Sequence, residues 1–171
     1  MIEGLPYFWG IALLCVVWSA AYKDISSFTI PHIYPILVVI LWVIAVPFAL
    51  TNFLNVSDLI LNITSAGLAF FIGFIFFALR LMGGGDVKLF AALALWIKFS
   101  NLHIFVLFIV VLGLFYTLLY ATWQYMKRRY HSDYKAETRM ETYRIIKRSK
   151  VPYGPAIALG LTAYLAVLYA Y

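Results

Sequence analysis

A chain of 171 residues that is 65% hydrophobic, only 12% charged and of mean hydropathy +0.93 lies far outside the range of soluble globular domains. Its net charge of +6 sits mainly between apolar runs, where membrane orientation and anionic lipid account for it, so no nucleic-acid partner is implied. The single cysteine, Cys15, leaves neither a disulfide framework nor a zinc-ligand set and reads as a packing residue.

The composition predicts an all-α, polytopic membrane protein forming a single domain over residues 1–171. Leu5 to Tyr22 is the first predicted span. Met1-Ile2-Glu3 ahead of it carries no Lys or Arg, so it reads as a retained helix and not a cleaved signal. Tyr22 to Pro31 is a polar patch that places Asp24 at a helix C-terminus and a proline at the start of the next helix. The second span runs from Ile33 to Leu50, with Pro35 and Pro47 as candidate kinks. Asp58 reads as the cap of the third, Leu59 to Leu79. Val87 to Phe99 forms a short fourth span and Leu102 to Met126 a long fifth. Residues 127–152 form a basic cytoplasmic loop, which is either a surface-lying amphipathic helix or a solvated segment. A sixth span covers Ala156 to Tyr171.

Six crossings put both termini on one side of the membrane. Loops one, three and five then hold twelve of the thirteen Lys and Arg residues, against Lys98 alone in loops two and four. By the positive-inside rule the odd loops face the cytoplasm and both termini face out, with anionic lipid as a partner of the basic loops. Asp24 and Asp86 consequently fall at the same, cytoplasmic face.

Asp86 stands between two apolar segments, where an ionisable side chain is costly unless it meets a polar cavity or a partner. Gly83, Gly84 and Gly85 before it read as a non-helical loop that lets another backbone come close, with Asp86 capping the helix that follows. Lys88, two residues on, points to a different helix face. Two acids at one depth are the minimum equipment for aspartic proteolysis, in which one activates water and the other polarises the peptide carbonyl. The dipole at the end of the first helix favours a protonated Asp24, and that at the start of the fourth an ionised Asp86.

Gly83-Gly84-Gly85-Asp86 resembles the GxGD motif of membrane aspartyl proteases. Together with Asp24 followed by Ile30-Pro31, the run Val87-Lys88-Leu89, and Pro152-Tyr153-Gly154-Pro155-Ala156, it resembles the type IV prepilin peptidase family. His32 stands where relatives often have Asn. The length is similar to the short peptidases serving tight-adherence pili or archaeal pilin-like systems. The resemblance implies a six-helix catalytic core in the cell membrane, with Asp24 and Asp86 as the two catalytic acids. It implies cleavage of pilin-like precursors at the cytoplasmic face, after a Gly ending a short basic leader and before a hydrophobic stem. Pro31, Pro152, Tyr153, Gly154 and Pro155 either line that site or, for the last four, form a break that sets the sixth helix. Larger members add paired Cys-x-x-Cys motifs and methylate the new N-terminus; with one Cys here, peptidase activity is expected without methyl transfer, zinc or any other cofactor.

Two other classes share some of these features. A presenilin-like or signal-peptide-peptidase-like protease also carries GxGD but pairs it with Tyr-Asp, whereas this chain has Tyr22-Lys23-Asp24. A small proton-coupled transporter could use Asp24 and Asp86 as relay acids, although polar groups deep in its spans are few.

Overall fold

The computed structural model describes residues 4–80, 82–132 and 152–170, with backbone alone over 127–132. Among them all regular structure is helical: α1 (Tyr7–Ser27), α2 (Ile33–Asn52), α3 (Val56–Ala78), α4 (Gly84–Ala94), α5 (Leu102–Ser132) and α6 (Gly154–Ala170), with a 3-10 turn at Phe99–Asn101. The basic segment contributes the end of α5 as far as Ser132, and residues 133–151 lie outside the described residues. Four stretches are long and apolar enough to cross a membrane, namely α1, α2, α3 and Phe99–Met126, which makes this a membrane protein.

The helix ends follow from local chemistry. α1 runs five residues beyond Tyr22, with the Ser26 and Ser27 hydroxyls both turned back onto the Lys23 carbonyl at 2.8 Å. It stops at Phe28, which takes a left-handed φ of 53° and donates its N–H to the Asp24 carbonyl at 2.7 Å. α3 begins at Val56, three residues earlier than the polar pattern suggests. Asp58 is its third residue and accepts the Asn55 N–H at 3.4 Å, so it caps from inside the helix.

α4 differs most from expectation. It spans 11 residues, which at about 1.5 Å per residue is roughly half the hydrocarbon thickness. Such a helix must be enclosed by protein, and Val87, Leu89, Phe90, Ala92, Leu93 and Ala94 are all buried. Its neighbours on either side are α3 and α2; α2 in turn packs on α1, α1 on α6, and α6 on α5.

Small residues admit α3: Ala69 and Gly73 are buried on its inner stripe, and a Cβ at Gly73 would come 2.8 Å from Val87 Cγ1. On the other side two indoles clasp α4 to α2. Trp96 Nε1 donates to the Val38 carbonyl at 3.3 Å, and Trp42 Nε1 donates to the Leu95 carbonyl at 2.9 Å. Leu95 follows the last residue of α4, where carbonyls have no helical partner, so the second bond satisfies an otherwise orphaned group. Phe105 of α5 stacks on Phe90 at 6.2 Å and meets Tyr164 of α6 edge-on at 5.7 Å, closing the core.

The outward surfaces of α3 and α5 are apolar, with Phe71, Ile75, Leu114 and Phe115 exposed as lipid-facing side chains. Cys15, expected to pack, is also exposed. The sequence pattern could not separate these faces, because a lipid-facing and a core-facing side chain are equally apolar.

Trp96 is fully buried and tied at both its ring and its nitrogen. Trp96→Ala should therefore cost about 3–5 kcal/mol through the cavity alone, read as a lower midpoint of thermal unfolding in detergent. Gly67→Ala, where an added Cβ meets nothing within 4 Å, should leave that midpoint essentially unchanged.

Candidate active site

Among the described residues, Asp24 and Asp86 are the two acids that the fold takes out of water, 3% and 7% exposed respectively. Asp24 lies in the last turn of α1. The left-handed Phe28 turns the chain there, so that Thr29 to Pro31 pass beside the start of α4. Asp86 is the third residue of α4 and its Oδ2 accepts the Gly83 N–H at 3.1 Å. The acid therefore caps its helix from the third position, as Asp58 does in α3.

Gly84 and Gly85 belong to the helix, correcting the expectation of a three-glycine loop, and no described glycine has a positive φ. Glycine is required for space instead. A Cβ at Gly85 would fall 2.5 Å from the Ile30 carbonyl oxygen, and one at Gly84 would touch the Phe77 ring at 3.4 Å. The absence of side chains lets the first turn of α4 sit against the loop that follows Asp24.

A second glycine brings α6 to the other acid. The Gly154 N–H donates to Asp24 Oδ2 at 2.8 Å across 130 positions of sequence. A Cβ at Gly154 would lie 2.9 Å from Asp24 Cβ and 3.1 Å from Ala21 Cα, so the contact is open to glycine alone. Each acid thus has one oxygen held by a main-chain amide at the beginning of a helix. The dipole of α1 no longer distinguishes them, since Asp24 also faces the positive end of α6.

Both carboxyls open on one groove of about 1390 Å³. Asp86 Oδ1 is buried and, among the described residues, accepts no hydrogen bond, leaving an oxygen available to a ligand. The two acids are near enough for the charge of Asp24 to bear on Asp86. Gly83, Gly84, Gly85, Lys88, Pro31 and Tyr153 line the groove as well. Pro152 and Pro155 are buried without lining it, so that motif divides into two packing prolines, one wall residue and one amide donor. Asp58 belongs to the start of α3 and takes no part in the groove.

Two contributors escape the sequence reading. Phe70, Phe74 and Phe77 form an aromatic wall on α3, with successive ring centroids 6.5 and 6.3 Å apart. Their i, i+4, i+7 spacing just ahead of the glycines was the available signal. Arg80, held at a left-handed φ of 60°, lines the groove at the end of α3. Among the described residues no group of three or more His, Cys, Asp or Glu side chains is assembled for a metal ion.

A helical membrane protein with two buried carboxyls opening on one groove has the equipment of an intramembrane hydrolase. Residues 11–118, more than half of the chain, match the type IV leader peptidase family, and the chain belongs to that family. The matched segment holds α1 to α4 and much of α5, and with them both acids. Searches among curated proteins and solved structures give no significant match.

Gly85→Ala should displace the loop around Ile30 or the first turn of α4. The expected cost is about 1–3 kcal/mol, seen as a lower unfolding midpoint together with reduced peptidase activity.

Proposed function

We propose that this leader peptidase is an aspartic endopeptidase whose catalytic acids are Asp24 and Asp86, acting on precursors of type IV pilin-like proteins. The observation that carries the reading is the pair of buried carboxyls in one groove, with Asp86 Oδ1 unpartnered among the described residues. Two carboxyls in so dry a site hold one negative charge more readily than two, so they share a proton. The ionised member takes a proton from a water molecule as that water attacks the scissile carbonyl carbon. The protonated member donates to the carbonyl oxygen, and collapse of the tetrahedral intermediate sends a proton to the leaving nitrogen.

The aromatic wall of α3 supports a substrate with an apolar stem beside the cleaved bond, since Phe70, Phe74 and Phe77 flank the acids. All six helices make up the membrane bundle in this reading, with α4 and the Leu95–Asn101 segment together completing the fourth crossing. The charge distribution then sets the GxGD turn, residues 83–86, and the mouth of the groove toward the cytoplasm, with both termini outside the inner membrane. Arg80 and Lys88 at that mouth suit anionic headgroups. Methyl transfer forms no part of this reading.

The test is cleavage of a co-expressed precursor, followed as a shift in electrophoretic mobility. Asp24→Asn and Asp86→Asn should each lower the rate by at least about 10²-fold, the usual worth of positioned acid–base groups, while still inserting and folding. Near wild-type cleavage by either variant would refute the two-acid mechanism.

A further inference from the structure

The α6 side of the contact with Asp24, at Gly154, lies outside the segment that matches the leader peptidases, which ends at residue 118. α6 packs mainly on α5 and α1, and most of its contacts with them are ordinary helix packing. Gly160 sits against Ile109, Tyr164 meets Phe105, and Thr162 Oγ1 accepts the Trp18 indole N–H at 3.2 Å. The contact at Gly154 ends on a carboxyl of the proposed catalytic pair.

Two independent observations set this contact apart from packing. The Gly154 N–H is the first amide of α6, one of those with no partner inside the helix, and it is directed at Asp24 Oδ2 in a buried setting. The space that would hold a side chain at position 154 is already filled by Asp24 Cβ and the Ala21 backbone, so the amide is brought as close as main chain can come. Among the described residues no other group hydrogen-bonds the Asp24 carboxyl.

We infer that Gly154 is a positioning residue for Asp24: through its main-chain N–H, the first turn of α6 selects the orientation in which the Asp24 carboxyl faces the groove shared with Asp86. This rests on the two-acid reading above. An aspartate side chain has two torsions and, at a helix end, several rotamers open to it. Fixing one oxygen with a charge-assisted bond leaves the other directed to the reaction while the bond costs no reorganisation during it. Gly154 touches Asp24 and not substrate, so its loss should lower turnover and leave substrate affinity in place.

The experiment replaces the amide without adding atoms. Glycolic acid incorporated at position 154 turns the peptide N–H into an ester oxygen. Gly160→Ala serves as the packing control, because its Cβ would come 2.5 Å from Ile109 Cγ1 on the same helix. Purified full-length protein in detergent is assayed on a synthetic precursor peptide with a basic leader and an apolar stem. The ester should lower kcat roughly 10- to 100-fold, the worth of one hydrogen bond to a charged group, with KM within about twofold and an unfolding midpoint close to wild type. Gly160→Ala should lower the midpoint while retaining kcat per folded molecule.

A wild-type kcat in the ester enzyme, or a rise in KM with kcat unchanged, overturns the assignment. So does an equal loss of kcat in the Gly160→Ala control, which would reduce the effect to packing. Asp24→Asn and Asp86→Asn run alongside separate the two levels. If both are inert and the ester is fully active, only the positioning role fails; if either aspartate variant cuts normally, the two-acid reading itself falls.

Discussion

Removing two carboxyl groups from water is the constraint on which the rest of this structure depends. A buried acid without donors is costly, and in a bundle whose interior is almost wholly apolar the only abundant donors are main-chain amides at helix starts. Gly83 supplies one to Asp86 and Gly154 one to Asp24. Meeting that need requires the starts of α4 and α6 to be packed against the end of α1 and the loop after it more closely than side chains allow. The glycines at 85 and 154 are the residues that permit it. The arrangement of α1, α4 and α6 is thus a consequence of satisfying two oxygens, and the groove is the space left between helices so placed.

Much of this is legible in the chain. The all-helical character follows from apolar runs punctuated by polar turns, and the second helix begins at Ile33 as its preceding proline suggests. The two acids stand out because charge is rare in such company. What could not be read has physical causes. Ser26 and Ser27 look like loop residues in sequence, yet α1 continues through them with their hydroxyls bonded to a carbonyl one turn back. The end of α4 at Ala94 is invisible because the apolar residues after it are as hydrophobic as those within it. The glycine run suggested unusual dihedrals, whereas its dihedrals are ordinary and its function is steric.

The hydrogen bond between Gly154 and Asp24 illustrates the limit best. It joins positions 130 apart, and nothing local to either residue announces the other. A glycine between prolines reads equally well as a helix break or as a close approach. Only the packing of α6 against α1 decides for the second. Cys15 and the outer faces of α3 and α5 show the complementary case, where composition is uniform and lipid replaces the core as the neighbour.

The length of α4 also separates the acids from the bilayer. A helix of 11 residues, buried beside neighbours of 20 and 23, does not present its own height to lipid. The surface that has to match the hydrocarbon core belongs to the longer helices, whose exposed side chains are apolar. The position of Asp86 is thereby set by protein packing and not by membrane thickness.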